Sequence, residues 1–133
     1  MGSSGRSGGH REIEHAVQCA CVRWFAYQYA EYDGLLFAVP NGGFRNITTA
    51  AKLKAEGVKA GVSDLILAVQ SEGYGALFIE MKTSKGKQTE YQKAFERAVT
   101  AQGYKYAICR SLTDFQEVVD KYIGKAKKPL KTL

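Results

Sequence analysis

The sequence lacks any long apolar run. No segment approaches the roughly 18 consecutive apolar residues that a membrane-spanning helix requires. No charged and then apolar leader opens the chain either. The sequence therefore predicts an intracellular protein that neither spans a membrane nor is visibly secreted.

Cysteine is also scarce. The three cysteines, Cys19, Cys21 and Cys109, form neither a C-x-x-C pair nor the even set of a disulfide framework. This pattern predicts reduced, buried small hydrophobic residues rather than metal ligands or redox groups. Internal repeats are absent as well, and low-complexity sequence is confined to the two ends of the chain.

The composition predicts one compact domain with a basic surface. At 133 residues, 45% of them hydrophobic, the chain is long enough for one core and short for two. We assign residues 1–10 to a flexible tag or linker, 11–124 to the domain and 125–133 to a basic tail. The 19 lysines and arginines outnumber the 13 acids, which favours a polyanionic partner or serves only to keep the protein soluble.

Alternating patterns predict an α/β fold. Helices are predicted at about 11–30, 46–56, 89–102 and from 111, and strands at 35–39, 65–69, 76–82 and 104–109. The strands LILAV and ALFIEMK are apolar throughout, which favours a central mixed β-sheet with helices on both faces. The predicted order is αβαββαβα.

Local signals refine the helices. One face of the first helix is predicted to be buried because its apolar residues recur at three- and four-residue steps: Ile13, Val17, Ala20, Trp24 and Tyr27. Thr89 is a good N-cap for the third helix. Ser111 and Asp114 resemble a capping box ahead of the fourth, with aspartate in place of the usual glutamate or glutamine.

Three charged residues interrupt the apolar hairpin at 61–82. Glu80 and Lys82 project to the same side of one strand, and a turn near Glu72 places Asp64 opposite Glu80. Two carboxylates this close need a cation, hydrogen bonds or a changed protonation state. A hard metal ion such as Mg²⁺ between the two carboxylates would offset their repulsion, and Lys82 beside it could orient a water. The alternative is an ordinary ion pair between Lys82 and the acids.

The hairpin pattern resembles the PD-(D/E)XK nuclease superfamily, and its surroundings resemble the VRR-Nuc family within it. The supporting segments are EHAVQ at 14–18, VPNGG at 39–43, GVKAGVSDL at 57–65, FIEMK at 78–82 and KGKQTEYQ at 85–92. Ser63 stands where the family usually has proline, and Met81 occupies the variable position between Glu80 and Lys82. The resemblance implies a restriction-endonuclease-like core.

The resemblance also implies a metal site for Mg²⁺ or Mn²⁺ and no small-molecule cofactor. Asp64 and Glu80 would bind the ion through their carboxylates, and Met81 through its backbone carbonyl. Lys82 would position the attacking water and stabilise charge on the phosphate. These roles describe hydrolysis of a phosphodiester bond by attack of water.

Two further catalytic residues are implied by the resemblance. Glu14 corresponds to an additional acid that binds the metal directly or through water, and Glu12 is the weaker choice because it lacks a partner like Gln18 four residues on. Gln92 corresponds to the glutamine on the helix after the lysine. Judged without the family, Gln92 would be a solvent-exposed helix residue.

The expected partner is branched DNA. Basic residues surround the motifs in sequence and are candidates for phosphate contacts: Arg45, Lys52, Lys54, Lys59, Lys85 and Lys87. Stand-alone members of the family resemble homodimeric resolvases of four-way (Holliday) junctions, and members fused to other domains resemble monomeric flap nucleases. We therefore expect a homodimeric junction resolvase in a bacterial or phage-infected cytoplasm.

Two alternatives remain open at this point. A non-catalytic nucleic-acid-binding module would have the basic surface without needing the acids. A sequence-specific, restriction-type endonuclease would share the catalytic core but prefer linear duplex.

Overall fold

The fold was determined as a computed structural model, which describes residues 3–40 and 47–126 of the chain. The elements are α1 (Ser3–Gln28), a short 3₁₀ helix (Ala30–Tyr32), β1 (Leu36–Ala38), α2 (Ile47–Ala55), β2 (Leu65–Leu67), β3 (Leu77–Met81), α3 (Glu90–Ala101), β4 (Lys105–Cys109) and α4 (Leu112–Ile123). The predicted order of helices and strands is confirmed. No helix in these ranges is both long and apolar enough to cross a membrane.

The four strands form one mixed sheet in the order β1-β2-β3-β4. The first three strands pair antiparallel, and β4 lies parallel to β3 after the crossover through α3. Parallel neighbours need such a long connection, whereas β2 and β3 are joined by a short turn. The predicted α/β class with a mixed sheet and flanking helices is therefore confirmed.

The main core lies on one face of the sheet. Side chains alternate along a strand, so the odd-numbered residues of β2 and β3 share a face. They are fully or almost fully buried: Leu65, Leu67, Leu77, Ile79 and Met81. Cys21 and Phe25 of α1 and Phe115 and Val119 of α4 belong to the same buried cluster. The even-numbered residues, Glu80 among them, consequently project to the opposite face, where Phe78 packs against Phe95 of α3.

Helix α1 differs from its prediction in two ways. Its buried face is formed by Cys21 and Phe25, whereas Ile13 is 54% and Tyr27 is 89% exposed. The prediction placed the recurring apolar residues on the buried face. Contact with α4 instead buries a face that is displaced by about one residue along the helix. The helix also begins at Ser3 rather than Arg11, since adding turns to an existing helix avoids the cost of forming a new nucleus.

The capping predictions hold with one correction. Thr89 caps α3 as predicted, and the Ser111 hydroxyl accepts a hydrogen bond from the Asp114 N–H at the start of α4. The Asp114 carboxylate, however, accepts from the N–H of Arg110, one residue before the cap. The arrangement is therefore not a full capping box. Aspartate, which is shorter than glutamate by one methylene, bonds a different amide.

Candidate active site

The β2–β3 hairpin has the register that brings the two acids together. Leu65 pairs with Ile79 and Leu67 with Leu77, so one more step places Asp64 opposite Glu80, as predicted. Asp64 Oδ2 accepts a hydrogen bond from the N–H of Met81 at 2.7 Å. The carboxylate of Asp64 therefore closes the open end of the β2–β3 pair.

The far end of the hairpin holds this register. Ser71 and Tyr74 exchange backbone hydrogen bonds around Glu72 (φ 50°) and Gly73 (φ 87°), the positive φ values of a type I′ turn. Between this turn and the paired strands, residues 68–70 face residues 75–76, so one extra residue is accommodated as a bulge. The Ser71 hydroxyl also donates to the carbonyl of Tyr122 in α4 at 2.6 Å.

Glu80 is the most perturbed acid of the cluster. It is 3% exposed, and burial, followed by the charge of Asp64, raises its pKa from 4.5 to about 9, with Lys82 acting in the opposite direction. Its Oε1 atom is buried and receives no hydrogen bond from a donor group, while a side-chain hydrogen bond with Asp64 also raises the pKa of Glu80. In the absence of a cation, Glu80 is consequently protonated at neutral pH.

Gln92 connects Glu80 to the first turn of α3. Its Nε2 donates to Glu80 Oε2 at 3.1 Å, and its Oε1 accepts from the Thr89 N–H at 2.8 Å. The Thr89 hydroxyl in turn accepts from the Gln92 N–H, which completes a capping box. Because the cap occupies the amide oxygen, the amide nitrogen is the atom turned toward Glu80. The spacing T-E-Y-Q at 89–92 is the sequence signal of this box.

All five predicted catalytic residues line one cavity of about 340 Å³: Glu14, Asp64, Glu80, Lys82 and Gln92. The structure thus gathers residues from α1, the β2–β3 hairpin and α3 at one end of the sheet. The charges of Lys82 and Glu14 both act on Glu80, which places all three within electrostatic reach of one another. Gln92 is half-buried in this cavity rather than a free surface residue.

The loop before Asp64 forms another wall of the cavity. Gly61 has φ +90°, and a Cβ built on it would lie 2.4 Å from the Tyr91 carbonyl oxygen, so only glycine allows this approach to α3. Ser63, at the position where the family usually has proline, is fully buried, and its hydroxyl donates to the Leu65 carbonyl at 3.2 Å. The serine therefore fits without leaving a polar group unsatisfied.

The donor set suits a hard divalent cation. In the described ranges, no group of three or more His, Cys, Asp or Glu residues has the geometry to hold a metal. The candidate ligands are the carboxylates of Asp64 and Glu80 together with the backbone carbonyl of Met81. The Met81 N–H donates to Asp64, and the Met81 carbonyl lies on the same edge of the strand as that N–H. Mg²⁺ is commonly held by one or two carboxylates plus waters and substrate phosphate. The orphaned Glu80 Oε1 is the atom that such an ion would satisfy.

Comparisons with known proteins identify the family of the chain. The model of the VRR-NUC domain family matches residues 8–113, which is most of the chain. The chain belongs to the VRR-NUC domain family. A solved structure named "VRR_NUC domain protein" is 27% identical, with a TM-score of 0.73, over 85% of this chain and 89% of that one. No curated protein matches the chain.

The VRR-NUC domain is a nuclease-type domain, and all five clustered residues lie inside the matched range. The predicted basic residues are distributed differently. Lys52 and Lys54 lie on α2, and with Lys59 they are exposed without lining the cavity. Lys85 lines a neighbouring cavity, and Lys87 is exposed. Arg45, the segment 41–46 and the tail beyond residue 126 lie outside the described residues.

Sequence reasoning missed one residue beside the VRR-NUC site. Arg110 donates from Nη1 to the carbonyl oxygens of Thr83 and Gly86, both at 2.7 Å. It therefore holds the loop that follows Lys82. No local sequence signal marks it, because the contact joins segments more than 20 residues apart.

Proposed function

We propose that this VRR-NUC protein is a divalent-metal-dependent endodeoxyribonuclease that cuts branched DNA. One observation carries the proposal: the two acids of the hairpin, Lys82, Glu14 and Gln92 line a single cavity, and a buried oxygen of Glu80 is left without a partner there. A buried carboxyl group beside another acid and an ammonium is the kind of perturbed cluster found at functional sites.

The residues have distinct roles in the proposed reaction. When bound, a divalent ion would polarise the scissile phosphoryl group and help the 3′ oxygen to leave. Asp64, Glu80 and the Met81 carbonyl would hold that ion. Lys82 would orient the attacking water and stabilise negative charge that develops on the phosphate. Gln92 would keep the Glu80 carboxylate in one orientation through its fixed amide nitrogen.

Glu14 is proposed to act through water. It lines the cavity, and its charge raises the pKa of Glu80 less than burial and Asp64 do. No three-acid metal cluster is found in the described ranges. A carboxylate at this distance can accept a hydrogen bond from a water in the cleft and so help to orient it.

The surface charge supports a nucleic-acid substrate that is not recognised by its sequence. The exposed lysines on α2 and in the loops on either side of the site suit contacts to phosphates, which give affinity without sequence information. A homodimer would present two such sites to symmetric strands, as cleavage of a four-way junction requires. We propose this junction as the preferred substrate and an intracellular location for the protein.

The test compares metal-dependent cleavage of end-labelled four-way junction, flap and linear duplex of shared sequence, with Mg²⁺ or Mn²⁺ and with a chelator. We expect cleavage only with metal and fastest on the junction. The variants Asp64→Asn and Lys82→Ala should bind the junction but not cut it. Sedimentation of the protein alone and with the junction measures whether it is a dimer.

Other results would favour the rival functions. Junction binding without metal-dependent cleavage by the wild type contradicts the nuclease and favours a binding module. Preferential cleavage of linear duplex at one sequence favours a restriction-type endonuclease. A monomer on a flap substrate would retain the nuclease but refute the dimeric resolvase.

A further inference from the structure

A second cavity adjoins the proposed active site. Its volume is about 250 Å³, and it shares Glu14 and Lys82 with the first cavity. Helix α1 forms one wall with the apolar residues Ile13 and Val17, and the loop after β3 forms the opposite wall. A ligand that enters the first cavity can therefore extend into the second without leaving the protein surface.

The loop on the far wall is held in a fixed shape. The Gly86 N–H donates to the Thr83 carbonyl at 3.1 Å, which closes a tight turn over residues 83–86. Arg110 then donates from one nitrogen to the carbonyl oxygens at both ends of that turn, each at 2.7 Å. The wall is thus supported by Arg110, the residue directly after β4, and does not depend on the ligand for its shape.

The charge of this cavity is positive. Lys82, Lys85 and Arg110 line it together with a single acid, Glu14. Three cations that converge from two segments of chain against one carboxylate create a potential that attracts an anion. The guanidinium and ammonium groups are the donors that proteins commonly use for phosphate.

An unsatisfied hydroxyl marks the same wall. Thr83 lines the cavity and is 8% exposed, and its Oγ1 is buried without a hydrogen-bond partner. Buried polar groups in folded proteins nearly always have a partner, so each exception calls for one. The hydroxyl lies beside Gly86 in the turn, and an oxygen of a ligand in this cavity would supply the missing partner.

We propose that this second cavity binds the sugar-phosphate unit next to the scissile phosphate on the same DNA strand. Lys85, Arg110 and the Thr83 hydroxyl would contact the phosphate oxygens, while the deoxyribose carbons would lie against Ile13 and Val17. This subsite rests on the proposed nuclease function, because its ligand is continuous with the strand in the catalytic cavity. It would fix the strand in line for attack by contacting a phosphate that does not react.

The test uses small ligands that carry one or two phosphates. Thymidine 3′,5′-bisphosphate has two phosphates separated by one deoxyribose, and the 5′- and 3′-monophosphates have one each. Calorimetric titration with Mn²⁺ present should show that the bisphosphate binds at least tenfold more tightly than either monophosphate. In Thr83→Val and in Lys85→Gln, this advantage should fall by about tenfold, as expected for a lost hydrogen bond to a charged group.

Two matched controls separate the subsite from general effects. Thr100→Val removes an exposed hydroxyl of α3, and Lys121→Gln removes an exposed charge of α4, and neither residue lines the cavity. Both should keep the bisphosphate advantage. Thr83→Val should also melt at the wild-type temperature or above it, because it replaces an unsatisfied buried hydroxyl with a methyl group.

The subsite is overturned if the bisphosphate binds no better than the monophosphates, if Thr83→Val and Lys85→Gln keep its advantage, or if the controls lose it equally. Cleavage of junction DNA by the same preparations keeps the two proposals distinct. Cleavage by a wild type that shows no bisphosphate advantage refutes the subsite alone. Absence of metal-dependent cleavage in a wild type that shows the advantage refutes the nuclease and leaves a phosphate-binding cleft.

Discussion

Replacing Glu80 with glutamine should abolish cleavage and make the metal-free protein more stable than the wild type at neutral pH, because glutamine is neutral in the unfolded chain as well. Burial, followed by the charge of Asp64, raises the pKa of Glu80 to about 9, so its side chain is a neutral carboxyl group when no cation is bound. Glutamine is also neutral and has almost the same shape. It can accept from Gln92 as the acid does, but it cannot serve as a charged metal ligand.

The pH dependence of stability gives this prediction its sign. Between about pH 4.5 and pH 9, folded Glu80 holds a proton that the unfolded chain has released. Its contribution to stability is therefore complete below the lower value and is lost as the pH rises through the upper one. One such proton lowers the free energy of unfolding by at most about 1.4 kcal/mol for each pH unit. The Glu80→Gln variant should lack this slope.

Urea unfolding in the presence of a chelator, from about pH 6 to about pH 9, measures both quantities. Glu90→Gln is the matched control, because it makes the same chemical change at an exposed position of α3. The alternative, a buried ion pair between Glu80 and Lys82, predicts that Glu80→Gln costs about 3–5 kcal/mol at neutral pH. That loss, or wild-type stability that rises with pH relative to the variant, would refute a protonated Glu80.

Three further predictions concern the walls of the site and the core. Gly61→Ala should lower the free energy of unfolding by at least about 1–3 kcal/mol and reduce cleavage. The added methyl group would overlap the Tyr91 carbonyl, at a φ that alanine disfavours. A melting temperature equal to that of the wild type would contradict this prediction. Gln92→Ala should lose the cap and with it about 0.5–1.5 kcal/mol of the free energy of unfolding, whereas Gln92→Glu should keep the cap. Both variants should cleave more slowly, because neither side chain offers a nitrogen to Glu80. Urea unfolding measures the first effect and single-turnover cleavage the second. Cys19 should be the one cysteine that reacts with a thiol reagent in the folded protein, because burial raises the pKa of Cys21 to about 11 and that of Cys109 to about 12. Rapid labelling of all three cysteines, detected by mass spectrometry, would contradict this prediction.

The placement of the two hairpin acids could be predicted from the sequence because it depends on local geometry. A strand has a side-chain period of two, and a turn centred on Glu72, as predicted, pairs Asp64 with Glu80. The bulge between the turn and the strands was not predicted. The turn is centred between Glu72 and Gly73, from which counting alone would place Asp64 opposite Met81, so the observed pairing depends on the bulge.

Other features of the site depend on contacts between distant segments and could not be predicted in this way. The buried face of α1 is selected by its packing against α4, which apolar periodicity alone does not encode. Arg110 reaches a turn more than 20 residues earlier in the chain. The unsatisfied oxygen of Glu80 likewise follows from how closely α3 and the loop before Asp64 cover the sheet.

The attachment of the hairpin tip to α4 has an evolutionary consequence. Insertion or deletion of a single residue between the tip and the paired strands would turn every following side chain to the other face and carry Glu80 into the apolar core. The Ser71 hydroxyl and the Lys125–Glu72 ion pair, at 3.1 Å, tie the tip to the end of the last helix. In relatives of different length, we therefore expect insertions within the turn itself, or insertions of an even number of residues between the tip and the strands. Insertion of a single residue inside β3 should be rare.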